Sequence, residues 1–102
     1  MRIQGKRRQA FSLSAPEAKE VLLAGDFTEW EQHAVQLKKG DDGVWQTTVL
    51  LEPGKHEYRF LVDDQWQDDP ASAWRVVNSF GSENCVCVVL EAPARRKSSR
   101  KK

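Results

Sequence analysis

The stretch Tyr58-Arg59-Phe60-Leu61-Val62-Asp63-Asp64-Gln65-Trp66 reads as a strand, a two-residue turn and the start of a returning strand. Asp tolerates tight backbone geometry between apolar runs, which makes Asp63-Asp64 a turn, although a weaker signal than Asn-Gly. With those two residues as the loop, Val62 faces Gln65 and Leu61 faces Trp66. Side chains alternate with period two, so Arg59, Leu61 and Trp66 share one face and Tyr58, Phe60 and Val62 the other. The second set can fill a core. The first places an indole beside an aliphatic residue and a guanidinium, toward solvent. A flat apolar ring next to a fixed fork of donors suits a ligand with apolar faces edged by hydroxyls, which describes a sugar. The plainer alternative makes Trp66 a core residue and Arg59 a solvated one. The hairpin by itself leaves both open.

A chain of 102 residues makes one domain, long enough to bury a core without staples. Hydrophobic content of 39% and charge of 30% fit a soluble globular protein, and four Trp need either a core or a ligand. No apolar run reaches transmembrane length and none follows the basic start, so neither a membrane span nor a secretory signal is expected, and a cytoplasmic location is. The net charge of +1 hides an asymmetry. Arg2, Lys6, Arg7 and Arg8 at one end, and Arg95, Arg96, Lys97, Arg100, Lys101 and Lys102 at the other, come with no acid among them. The middle, 9–92, holds 6 bases and all 15 acids, a net of −9. The expected organisation is a basic tail over 1–9, a domain over 10–91 and a second basic tail over 92–102. Such tails have charge and little to bury, and they could hold nucleic acid, an anionic partner or the body itself.

Along the body, Ala10-Phe11-Ser12-Leu13 starts a strand and Glu20 to Gly25 forms a strong apolar run of strand length. A loop follows from Asp26 to about Ala34, then Val35-Gln36-Leu37-Lys38 alternates. Lys39 to Gly43 is a turn before a strand from Val44 to Leu51, with Trp45, Thr47, Val49 and Leu51 on one face. Glu52-Pro53-Gly54 turns the chain into Lys55 to Val62. Gln67 to Ser82 has no sustained period and reads as a long loop, a length more often functional than idle. Asn84 to Leu90 closes the domain. Short strands at this spacing, without a convincing helix, mean an all-β sandwich.

Catalytic and metal chemistry find little support. His33 falls in a loop and His56 on an inward strand face, and neither sits in a Ser, Cys or metal-ligand motif. The acid pairs Asp41-Asp42, Asp63-Asp64 and Asp68-Asp69 fall at turns, where backbone geometry favours Asp, with no sign of the defined separation that glycoside cleavage needs. The four acids from Asp63 to Asp69 lack the spacing of an EF-hand calcium loop. Cys85 and Cys87, two apart in a strand, point the same way and are poorly placed to pair. They read as free buried thiols of a reducing compartment. No enzyme, metal site or cofactor is therefore expected. Trp30 is different: it follows Leu23-Ala24-Gly25-Asp26-Phe27-Thr28-Glu29 in a polar loop, with no alternation to place it in a core. With Trp66 it makes a second exposed indole. Trp45 is a core or strand-face residue, and Trp74 either extends the platform or pins the long loop.

Three segments, Gly25 to Trp30, Pro53 to Trp66, and Asp69-Pro70 with Phe80-Gly81-Ser82-Glu83-Asn84, together resemble the glycogen-binding domain of the AMP-activated protein kinase β subunit. The wider family is the early-set, isoamylase N-terminal type of carbohydrate-binding module, and the resemblance covers about residues 10–90. It implies an immunoglobulin-like (early-set) β-sandwich without catalytic activity that binds α-1,4-glucan such as glycogen or a maltooligosaccharide. It implies that Trp30 and Trp66 stack on glucose rings and that Arg59, where the family often has Lys, donates to sugar hydroxyls. Phe80 takes the place of an aliphatic residue that pushes against the curved glucan, and Ser82 and Asn84 supply a hydroxyl and an amide beyond it. Thr28 stands where the family has Asn and Asp64 where the hairpin usually has Gly, departures that bear on loop detail rather than on the stacking pair.

Family members are usually attached to an enzyme or a kinase scaffold, which implies an adaptor that brings a protein partner to glycogen. The rival reading keeps the fold as scaffold and uses the basic tails on nucleic acid or an acidic protein. Counterion release would make that binding steeply salt-dependent, whereas stacked rings hardly notice salt. An acidic body without a base-reading motif argues against it, and no membrane partner is expected.

Overall fold

A computed structural model describes residues 6–90, so Arg2 and the basic tail over 92–102 lie outside the described residues. Nine strands run in chain order: β1 (Arg7–Ser14), β2 (Val21–Gly25), β3 (Val35–Gln36), β4 (Lys38–Lys39), β5 (Val44–Leu51), β6 (Gly54–Val62), β7 (Gln65–Gln67), β8 (Arg75–Val77) and β9 (Glu83–Val89). A turn of 3-10 helix, Trp30–His33, interrupts the β2–β3 connection. Every pairing among the described residues is antiparallel. One sheet has the order β1-β5-β4, and the other β3-β2-β6-β9-β8 with β7 added to β6. The chain is the expected all-β sandwich.

Two boundaries differ from the sequence reading. β1 opens at Arg7, which pairs with Leu51, so Arg7, Arg8 and Gln9 belong to the sheet and not to a tail. The segment Gln67 to Ser82 is not one loop, because Arg75–Val77 forms β8 on the outer edge of β9. A three-residue edge strand is too short to show alternation, and its ladder is supplied by the partner.

The strands form where alternation lets one face bury. Phe11 and Leu13 of β1, Trp45 and Leu51 of β5, Val21 and Leu23 of β2, Tyr58 and Phe60 of β6, and Cys85 and Val89 of β9 meet between the sheets. The Phe11 and Tyr58 rings cross edge to face at 5.0 Å, and Tyr58 meets Phe60 likewise at 6.0 Å. The Trp45 indole N–H donates to the Ala15 carbonyl at 2.8 Å, so its polar atom is satisfied inside. Both thiols are free; Cys85 is buried, and burial pushes the Cys87 thiol up from its ordinary value.

The β6–β7 hairpin has the expected register, Val62 opposite Gln65 and Leu61 opposite Trp66. Asp63 and Asp64 take φ of 47° and 70°, the left-handed pair of a type I′ turn, whose twist matches the strands. Asp63 does more than turn. Its carboxylate accepts the Lys19 and Glu20 backbone N–H groups at 2.9 Å, tying the hairpin tip to the β1–β2 loop. A second tie holds the long connection. Asp69 is buried, accepts the Tyr58 hydroxyl at 2.7 Å and the Ala71 N–H at 2.9 Å, and donates its own N–H to Cys85 Sγ at 3.2 Å. Desolvation first, then the hydrogen bond to Asp69, push the Tyr58 phenol far above its ordinary range. Asp63 and Asp69 thus have structural partners.

Candidate functional site

β6 presents Lys55, Glu57, Arg59 and Leu61 on the outer face of the larger sheet, opposite its core residues. Over Glu57 and Arg59 lies an open groove of about 870 Å³. Trp30, Arg59, Trp66, Phe80, Ser82 and Asn84, the six residues singled out from sequence, all line it. They come from four places in the chain: the loop after β2, the middle of β6, β7, and the β8–β9 connection running into β9.

Trp30 is half-buried and holds φ of 59°, directly after Glu29 at 54°. Two successive non-glycine residues in the left-handed region cost roughly 1–2 kcal/mol each, so something must hold them there. That something is Thr28, which is 95% buried by the exposure of only 5% that it retains. Its Oγ1 accepts the Gly25 N–H at 2.9 Å and lies 2.7 Å from the Trp30 carbonyl, which takes its proton. The His33 N–H closes the turn onto the Thr28 carbonyl at 3.0 Å. Gly25 is required at the root of this loop, because a Cβ there would stand 2.5 Å from the Glu57 carbonyl. Thr28, which departs from the family's usual Asn, is the pin of the loop that carries the indole.

Arg59 is placed between an acid and a ring. Its Nε lies 3.1 Å from Asp68 Oδ1, without the alignment of a hydrogen bond, and its Cζ lies 5.8 Å from the Trp66 ring. The contact with Asp68 is therefore one of charge, and Arg75 shares the same carboxylate at 3.9 Å. Neither Arg59 Nη atom makes a hydrogen bond among the described residues, so the outer fork has no protein acceptor there. Trp66 is 42% exposed and Phe80 is 92% exposed at the loop tip beside Gly81, whose φ is 86°.

Asn78 builds that tip. Its Oδ1 accepts the Phe80 N–H at 2.9 Å and the Ser82 N–H at 3.2 Å, and its Nδ2 donates to Ser82 Oγ at 3.1 Å and Asn84 Oδ1 at 3.0 Å. Asn84 is buried, and its Nδ2 donates to Glu57 Oε1 at 3.0 Å. Backbone N–H groups and a carboxylate fix which end of each amide is which. Sequence reading missed Asn78, Asp68 and Glu57. An Asn two residues before Phe80 and three before Gly81 is a turn signal, and Glu57 shares the outer face with Arg59 by simple alternation.

Trp74 stays outside the groove. Its ring lies under Lys55 Nζ at 4.9 Å and its carbonyl accepts the Val86 N–H at 2.9 Å, so it pins the edge strand. His56 Nε2 donates to the Glu52 carbonyl at 2.7 Å, and exposed His33 pairs with Glu29 at 3.0 Å. Among the described residues no group of three or more His, Cys, Asp or Glu side chains could hold a metal ion.

A β-sandwich with two indoles, a phenyl ring, a guanidinium and a connected amide network along one open groove is a carbohydrate-recognition module. Residues 11–95 match the glycogen recognition site of AMP-activated protein kinase, and the chain belongs to that family. It is similar to Protein PTST homolog 2, chloroplastic, of Arabidopsis thaliana, with 40% identity over 71% of this chain and 13% of that protein. Similarity extends to Protein FLOURY ENDOSPERM 6, chloroplastic, of rice (30% identity over 80% of this chain, 15% of that protein). The β-1 subunit of 5'-AMP-activated protein kinase from pig is 35% identical over 70% of this chain and 55% of the subunit. The chain thus spans about a seventh of the two plant proteins.

Proposed function

We propose that this groove binds α-1,4-glucan, such as glycogen, without acting on it, and that the domain serves to bring a protein partner to the polymer. The observation that carries this reading is the convergence of six residues from four chain segments on one groove. Trp30 and Trp66 offer ring faces to the axial hydrogens of glucose. The outer fork of Arg59 and the Ser82 hydroxyl meet the rim of sugar hydroxyls, and Phe80 presses on the concave side of the glucan. Aromatic burial drives such binding and the polar groups orient it. An open groove buries little area and competes with water for each hydroxyl, so a single short oligosaccharide binds weakly, and many sites along one polymer raise the avidity. The rival use of the chain as a nucleic-acid or acidic-protein module is not favoured: Glu29, Glu31 and Glu57 line the same groove, and their charge opposes a phosphate or an acidic partner there.

Titration of tryptophan fluorescence with maltoheptaose, at low and high salt, tests the reading. The expected result is a saturable change indifferent to salt, weakened at least about tenfold, or roughly 1.4 kcal/mol, in Trp66→Ala. A folded protein that gives no response at millimolar sugar would overturn it.

A further inference from the structure

Glu57 is a groove residue that the six named above do not include, and it is the best-positioned acceptor there. It sits two residues before Arg59 on β6, so its side chain leaves the same face roughly 7 Å along the strand. One oxygen, Oε1, takes the Asn84 amide at 3.0 Å, and Asn84 is itself buried and held by Asn78 at 3.0 Å. Oε2 accepts nothing among the described residues. Glu29 and Glu31, the other carboxylates of the groove, are exposed on the turn around Trp30, and Glu29 pairs with His33. Glu57 is half-buried and fixed.

We infer that the Glu57 carboxylate accepts a glucan hydroxyl beside Arg59, with Asn84 as its positioning residue, and that it filters the ligand by charge. The inference rests on the glucan reading above. A sugar hydroxyl both donates and accepts; Arg59 can only donate and Glu57 can only accept, so hydroxyls along the glucan rim meet both kinds of partner. Hydrogen bonds to an ionised acceptor are the stronger kind, and Oε2 is oriented before the sugar arrives. The Asn84 amide, drawn into the Asn78–Glu57 relay, acts through Glu57. The same charge opposes a phosphate. Arg59 shares the Asp68 carboxylate with Arg75, and against its charge the groove sets three carboxylates, Glu57 with Glu29 and Glu31. The groove therefore selects neutral glucan over phosphorylated glucan.

Two probes test this on the full chain: maltoheptaose, and maltoheptaose phosphorylated on its ring hydroxyls. Glu57→Gln keeps an oxygen for Asn84 and so keeps the relay. Wild type is expected to prefer the neutral probe. In Glu57→Gln neutral binding should weaken about threefold while the phosphorylated probe gains about threefold at low salt, the gain fading at high salt. A structural role alone would weaken both probes equally. An unchanged ratio, or an equal loss for both probes, overturns the inference while wild-type binding of maltoheptaose leaves the groove reading standing. Wild type that binds neither probe sinks the groove reading and this inference with it.

Discussion

The two faces of β6 differ in what holds them. Tyr58 and Phe60 point inward among core side chains, with only the Tyr58 hydroxyl reaching a polar partner, Asp69, whereas Glu57 and Arg59 point outward and are held by polar neighbours, Asn84 and Asp68. The inner face is fixed by shape. The outer face is fixed by a relay of hydrogen bonds and charge that starts in loops, and it leaves atoms unpartnered toward the groove. The same alternation that buries one set of side chains thus presents the other, and stability and recognition can be perturbed separately on one strand.

The largest expected effect removes the inner face. Phe60 retains no exposed surface, so Phe60→Ala should cost about 3–5 kcal/mol, read as a lower urea midpoint. A loss below about 1 kcal/mol would mean that the sheets collapse onto the gap and that shape is not what fixes this face. Next comes Tyr58→Phe, which leaves Asp69 Oδ2 buried without its donor and should cost roughly 1–3 kcal/mol. Tyr58 carries a pH signature as well. Its phenol is held neutral in the folded state, so its contribution is complete below the free value near pH 10 and is lost as pH rises above it. As the only tyrosine, it should show no tyrosinate absorbance until the domain unfolds in alkali, and Tyr58→Phe should flatten that alkaline loss of stability.

Thr28→Ala sharpens the comparison from the other side. It removes the pin under the left-handed Glu29-Trp30 pair, and should cost about 1–2 kcal/mol of stability and several-fold in maltoheptaose affinity. Equal affinity in the mutant would show that the Trp30 loop keeps its shape unaided. The smallest effect belongs to Trp74→Ala. Loss of the Lys55 contact should cost only about 0.5–1 kcal/mol, with short-oligosaccharide affinity changed less than twofold. A tenfold fall would place Trp74 in the ligand's path.

Much of this was legible in the sequence because two periodicities and one turn determine it. Alternation over Tyr58–Val62 separates the core face from the groove face, and Asp63-Asp64 fixes the register that sets Trp66 opposite Leu61. The Trp45 to Leu51 face followed in the same way. What alternation cannot reveal is who holds whom. Asp63 reaching Lys19, Asp69 reaching Tyr58, and Asn78 reaching Asn84 are polar contacts across loops, set by tertiary approach and not by period. β8 escaped because three residues on an edge carry no pattern of their own. Glu57 is a different case: its face was readable, but a charge on a strand face looks the same whether it meets water or a ligand.

Phe80 gives the groove a thermodynamic mark. Its ring stands almost wholly in water, 92% exposed, on a tip built by Asn78 and Gly81. Water around an apolar surface raises the heat capacity, and its release on binding lowers it. Glucan binding that covers this ring therefore becomes more exothermic on warming, so the grip of the domain on its polymer shifts from entropy toward enthalpy as temperature rises.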